Sequence, residues 1–289
     1  MMIPPTLEGP LRALRLSGLG QNLGARLQEA AANRLTHAEF LELILRDELQ
    51  IRQQRQLARR VKTAEFRSLK PLEDFDWTFN PSIPRAKVQQ LAGCEFIRRK
   101  TDVLLIGPPG VGKSFLAQAL GYCALQQGFE VLYRSIFDLV RDFLRDEAVN
   151  NQDRVLRQYL KVDLLIIDDM GLKALAKHSG EYLLEVIMRR YENRSTIMTS
   201  NRPLEEWGKL LGDVPTAGAI LDRFLHHAET LAIQGRSYRL KEVPVAGGRR
   251  ENKRPGGGEK PAGEMVAGFG EKSGKPSKSE ADDLTGDTP

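Results

Sequence analysis

Gly107-Pro108-Pro109-Gly110-Val111-Gly112-Lys113-Ser114 fits the pattern G-x-x-x-x-G-K-[ST], and its flanks decide how this chain folds. The apolar run Val103-Leu104-Leu105-Ile106 before it predicts a buried parallel strand, and Phe115 to Gln127 after it predicts a helix. Strand, glycine-rich turn and helix in that order make a phosphate cradle. Glycines let the backbone curl so that N–H groups converge on phosphate oxygens, and the helix N-terminus adds partial positive charge. Within such a loop Lys113 reaches the β- and γ-phosphates, and the Ser114 hydroxyl ligates Mg²⁺. The predicted nucleotide contacts are therefore Gly107, Pro108, Pro109, Gly110, Val111, Gly112, Lys113, Ser114 and Phe115.

A second signature lies downstream in Leu164-Leu165-Ile166-Ile167-Asp168-Asp169. Four aliphatics predict a central strand buried on both faces, which delivers two acids to the sheet edge where the phosphate loop lies. Asp168 is the candidate Mg²⁺ residue beside Ser114, and Asp169 the candidate for orienting the attacking water. A third strand, Ser195 to Ser200, ends in Asn201, which suits contact with a γ-phosphate or a lytic water. Asn before Arg-Pro is also ordinary turn chemistry. In Ile220-Leu221-Asp222-Arg223 the arginine either pairs locally with Asp222 or serves as a finger reaching the nucleotide of a neighbouring subunit. Arg236 and Arg239 are further candidates for nucleotide or subunit contacts.

Around these motifs the chain divides into a helical part over residues 1–70, a linker at 71–84, an α/β part at 85–243 and a tail at 244–289. Alternating strands and helices in the third part predict a parallel sheet covered on both faces. In the first part, leucines from Leu11 to Leu27 recur near helical spacing, although Gly18, Gly20 and Gly24 weaken a single helix there. A cleaner helix starts at Thr36, whose Thr36-x-x-Glu39 spacing is a capping box. It runs to about Val61. Arg52, Arg55, Arg59 and Lys62 share one of its faces, and with Arg60 they make five bases and no acid between Gln50 and Lys62. That stripe is either a solvated face or a track for a phosphodiester backbone. The linker holds Phe75, Trp77 and Phe79, which suit packing over a nucleotide base or simple docking on the core. The tail is rich in Gly, Pro, Lys, Ser and Glu and is expected to be disordered.

Bulk properties narrow the function. The net charge of +5 belongs to the body, because residues 245–289 carry eight Lys/Arg against eight Asp/Glu. No apolar run approaches the roughly 20 residues that span a bilayer, and Met1 to Pro5 do not begin a signal peptide. Cys94 and Cys123 have no partner at metal-like spacing, and the four histidines form no ligand constellation in the sequence. A cytoplasmic protein with no metal beyond nucleotide-borne Mg²⁺ is expected.

Taken together, Gly107–Ser114, the strand ending in Asp168-Asp169, Thr199-Ser200-Asn201, Glu206-Trp207-Gly208, Ile220 to Arg223 with His226-His227, and Ser237-Tyr238-Arg239 resemble the IstB-like ATP-binding proteins of insertion sequences. These are relatives of the DnaC-type helicase loaders among AAA+ ATPases. The resemblance spans roughly residues 10 to 243 and excludes the tail. It implies an AAA+ P-loop NTPase core, a parallel sheet flanked by helices, behind a small all-α N-terminal domain. It further implies a homo-oligomer that assembles on double-stranded DNA with ATP, Arg223 acting across subunits, and a role assisting the transposase of the same element. Asp169 stands where most AAA+ members have Glu, which implies slow turnover. Too little sequence follows Arg239 for a full helical lid. A helicase loader shares this core and is the alternative reading. A small-molecule kinase would need an acceptor pocket and a lid base, which the sequence does not offer. A binding module without hydrolysis is disfavoured by Lys113, Ser114, Asp168 and Asp169 together.

Overall fold

The computed structural model describes residues 5–148, 152–173, 175 and 179–240. Three helices come first: α1 (Pro5–Ala13), α2 (Ser17–Asn33) and α3 (His37–Ala64). Two short helices, α4 (Arg85–Ala92) and α5 (Glu95–Arg98), lead into β1 (Asp102–Ile106) and α6 (Lys113–Gln126). Then follow β2 (Val131–Ser135), α7 (Ile136–Ala148), α8 (Gln152–Lys161), β3 (Leu164–Met170), α9 (Ser179–Arg190) and β4 (Ser195–Ser200). The last elements are α10 (Trp207–Leu211), α11 (Val214–His226) and β5 (Ala228–Ala232).

The five strands form one all-parallel sheet in the order β2-β3-β4-β1-β5. Side-chain alternation splits each strand between two cores. Val103, Leu105, Leu164, Ile166 and Ile197 face the layer formed with α4 and α6. Leu104, Leu165, Ile167 and Met198 face the layer formed with α7 to α11. β1 and β3 are covered on both faces, which is why they carry continuous apolar runs instead of alternating ones. The predicted α/β class is therefore observed.

The strand order also places the motifs. Because β4 lies between β1 and β3, the C-terminal ends of three adjacent strands carry the phosphate loop, Asn201 and the Asp168-Asp169 pair. A bulge interrupts the β3–β4 ladder between Ile167 and Met170, so the acids occupy the irregular stretch. Asp169 sits at φ 67°, a conformation that Asp tolerates better than most residues.

The N-terminal helices depart in one detail from expectation. The Leu11-to-Leu27 segment does break, but at Leu14–Leu16 between α1 and α2, and the three glycines lie inside α2. Gly18 is there for close approach: a Cβ on it would lie 2.9 Å from both Glu48 Oε2 and Ile51 Cβ of α3. Thr36 and Glu39 form the predicted capping box, and α3 runs 28 residues, about 42 Å. Its first half packs on α2 through Leu19, Leu23 and Ile44, while Ala64 at its end belongs to the core over α6. The described residues belong to one compact unit; the tail expected at 244–289 lies outside them.

Asp102 opens β1, and its buried carboxylate accepts the Thr196 backbone N–H at 2.6 Å. Burial outweighs that bond and pushes its pKa from 3.8 up to about 7. A carboxyl shifted upward adds stability below its unfolded pKa and loses it as pH rises through the folded one. Asp102→Asn keeps the acceptor oxygen and removes the charge. The unfolding free energy from urea titration should match the wild type near pH 4 and exceed it by roughly 4 kcal/mol at pH 8.

Candidate functional site

Gly110 makes the phosphate loop possible: at φ 83°, its Cβ would fall 2.0 Å from Ser237 Oγ. Gly112 caps α6, so the first N–H groups of that helix face the loop. Lys113 begins the helix, is buried, and donates to the carbonyls of Gly107 and Pro108 at 2.7 Å each. Burial lowers its pKa from 10.5 to about 8, against the opposing pull of Asp168 and Asp169.

Asp168 is fully buried at the end of β3 and accepts three hydroxyls. Ser114 Oγ donates at 2.9 Å, Tyr133 Oη at 2.5 Å, and Thr199 Oγ1 also bonds it. The predicted pair of Ser114 and Asp168 therefore forms a direct contact. Asp169 takes a different environment. Its backbone N–H donates to Thr199 Oγ1 at 3.1 Å, and its carboxylate pairs with Arg67 Nη2 at 2.7 Å. Burial and the Asp168 charge raise its pKa, and Arg67 opposes them.

Lys113, Ser114 and Asp169 border a cavity of about 350 Å³, within the usual range for a small-molecule site, whereas Gly107, Pro108 and the buried Asp168 are not in its lining. Its lining brings together Pro109 to Phe115 of the loop, Asp169, Asn201 and Arg239. The linker supplies another wall with Asp74, Phe75, Asp76, Phe79 and Asn80. Phe75 packs edge-on against Trp77 and Phe115, at 4.8 and 5.2 Å between ring centroids. Phe79 meets Tyr238 at 4.8 Å. Tyr238 N–H donates to the Gly110 carbonyl at 2.9 Å, so the chain after β5 closes over the loop. Of the three linker aromatics, Phe75 and Phe79 thus line the cavity while Trp77 packs against the core, and Arg239 joins the lining whereas Arg236 does not. A loop with inward N–H groups, a lysine and a hydroxyl-carboxylate pair fits a nucleotide polyphosphate with Mg²⁺, which Ser114 and Asp168 would hold.

Other predicted residues lie elsewhere. Arg223 is on α11, outside the cavity lining, paired with Asp222 at 3.0 Å and 5.6 Å from the Tyr191 ring centroid. Of the basic stripe, Arg52 bonds Glu48 at 2.7 Å and the Arg15 carbonyl at 3.2 Å, and Arg55 bonds Ser17. Two of the five bases therefore fasten α3 to the α1–α2 corner. Arg59, Arg60 and Lys62 have no ion-pair partner among the described residues.

The histidines need a correction. Glu192, His226 and His227 bring ligand atoms within 4.8 Å of one another, where the sequence offered no constellation. The turn after α9 meets the end of α11, a proximity across 34 positions that spacing does not reveal. All three are exposed, with Tyr191 Oη 2.6 Å from His226 Nδ1 and His227 Nε2 3.3 Å from Glu192 Oε1. Arg67 and Tyr133 at the acid pair were also missed. Tyr133 is found only once β2 is known to lie beside β3; Arg67 carries no local signal.

An all-parallel sheet of this order with a phosphate loop after β1 and paired acids after β3 defines a P-loop ATPase core of the AAA+ type. Residues 9–246 match the family described as IstB-like ATP binding protein, and the chain belongs to that family. An ATP-binding protein of insertion sequence IS21 from Pseudomonas aeruginosa is 40% identical over 249 residues, covering 86% of this chain and 94% of the relative. Its counterpart from IS5376 of Geobacillus stearothermophilus is 35% identical, covering 79% and 91%. Among solved structures, AMPPCP-bound DnaA of Aquifex aeolicus superposes with TM-score 0.50 at 20% identity, covering 63% of this chain and 57% of that one, a likeness of fold. No helix among the described residues is long and apolar enough to cross a membrane.

The lowered Lys113 pKa has a measurable outcome. Polyphosphate restores the ammonium charge, so ATP binding near pH 8 should take up about half a proton. Calorimetry in buffers of different ionisation enthalpy reads that uptake directly. Lys113→Arg, always charged, should abolish it.

Proposed function

We propose that this protein is a DNA-loaded ATP switch of transposition. In this reading it oligomerises on duplex DNA in its ATP form and assists the transposase of its own element in choosing target DNA. The observation that carries the reading is the convergence of the Lys113 loop, Asp169 of the β3–β4 bulge and Asn201 on one cavity, in a chain whose relatives are ATP-binding proteins of insertion sequences.

Each residue then has a task. Lys113 and the loop N–H groups hold the β- and γ-phosphates, and Ser114 and Asp168 hold Mg²⁺, which neutralises phosphate charge when bound. Asp169 orients a water whose oxygen attacks the γ-phosphorus as the bond to the β–γ bridging oxygen breaks, leaving ADP and phosphate. Asn201 contacts the γ-phosphate or that water. Arg223, exposed and outside its own cavity, acts on a neighbouring subunit's nucleotide. Helix α3 meets DNA through Arg59, Arg60 and Lys62, with Arg52 and Arg55 shaping the helical corner behind them.

Sizing of the full chain with ATP·Mg²⁺ or ADP, each with and without duplex DNA, tests the assembly. Large particles should require ATP and DNA together; a monomer under all four conditions would refute the switch. Arg223→Ala should bind ATP without hydrolysing it, and mixing it with Asp169→Asn should restore part of the activity if the arginine works between subunits. Replacing Arg59, Arg60 and Lys62 with Ala should lower the slope of log affinity against log salt by about 2–3, close to 0.9 for each phosphate contact.

A further inference from the structure

Arg67 stands three residues beyond the end of α3 and closes an ion pair on Asp169, Nη2 to Oδ2 at 2.7 Å. Its guanidinium also lies 5.9 Å from the Tyr133 ring centroid. Arg67 borders a groove shared with Glu65, Tyr133 and Arg134, whereas Asp169 borders the nucleotide cavity. The cation therefore engages Asp169 from outside the cavity lining. A carboxylate oxygen committed to a charge-assisted bond is a weaker acceptor for a water proton. Asp168 offers no substitute, because its oxygens already accept Ser114, Tyr133 and Thr199.

Short covalent reach ties this contact to α3. Glu65 ends the helix at φ 56° and pairs with Arg134 at 2.9 Å. Phe66 packs in the core beside Tyr133, with ring centroids 6.1 Å apart. Ser68 N–H donates to Gln118 Oε1 of α6 at 3.2 Å. A shift of the α3 end pulls on this whole segment. Arg67 is half-exposed, as Glu65 is, so the ion pair on Asp169 can be released at small cost.

We infer that Arg67 is a positioning residue that restrains Asp169, holding ATP hydrolysis low until the segment after α3 is displaced. The inference rests on the assignment of Asp169 as the water-orienting acid. It adds a route by which whatever α3 binds reaches the hydrolytic step, with no contact between that ligand and the nucleotide.

The test is steady-state ATPase with the full chain, alongside equilibrium binding of a fluorescent ATP analogue. Arg67→Ala and Arg67→Gln should raise kcat about three- to fivefold, the range open to a half-exposed ion pair, with analogue affinity unchanged. Arg67→Lys, which retains a cation, should stay near the wild-type rate. Duplex DNA should stimulate the wild type by a larger factor than Arg67→Ala. Unchanged or reduced kcat in both neutral variants would overturn the restraint, as would equal DNA stimulation in wild type and Arg67→Ala. Asp169→Asn separates the two levels of the argument. If it hydrolyses ATP at the wild-type rate, the role of Asp169 fails and the restraint with it. If it is inactive while both neutral Arg67 variants match the wild type, the restraint alone fails.

Discussion

The Asp168 carboxylate, sealed from solvent and accepting the hydroxyls of Ser114, Tyr133 and Thr199, is the interaction on which the site depends. A buried carboxylate is tolerated only when its oxygens are satisfied. Here its three donors come from the start of α6, from β2 and from β4, while Asp168 itself is on β3. One side chain thus fixes the relative positions of the phosphate loop and three strand ends. Loss of any donor leaves the buried carboxylate under-satisfied and loosens the junction of loop and strands at the same time.

Motif chemistry was legible because it is local. Loop, preceding strand and following helix are contiguous, and a four-residue aliphatic run before two acids identifies a central strand without knowledge of its neighbours. The capping box at Thr36 and Glu39 is local in the same way. Other features depend on strand order, which no local pattern encodes. Tyr133 reaches Asp168 only because β2 pairs with β3. Gly18 looked like a helix breaker in the sequence, yet it lies within α2 because α3 passes too close for a Cβ. Glu192 with His226 and His227 is a meeting of two element ends. In each case a distant partner overrode a local propensity.

The basic stripe shows how a pattern of charge can hold two kinds of residue. Helical spacing puts Arg52, Arg55, Arg59 and Lys62 on one face, but α1 and α2 pack beside only the first two. Those two spend their donors on Glu48, the Arg15 carbonyl and Ser17. An arginine bonded to its own fold is a poor counterion for phosphate, since binding would first require breaking that bond. Of the five bases of the stripe, those without an ion-pair partner among the described residues therefore lie in the last two turns of α3.

That placement gives α3 a mechanical meaning. A single 28-residue helix is anchored at one end by packing against α2 and at the other by Ala64 and Phe66 in the core over α6. The free bases stand within two turns of the second anchor, and the residues just past it lead directly to Asp169. The N-terminal helices are thus more than an appendage that tethers the ATPase core: the segment that follows them pairs with one of the two acids at the end of β3.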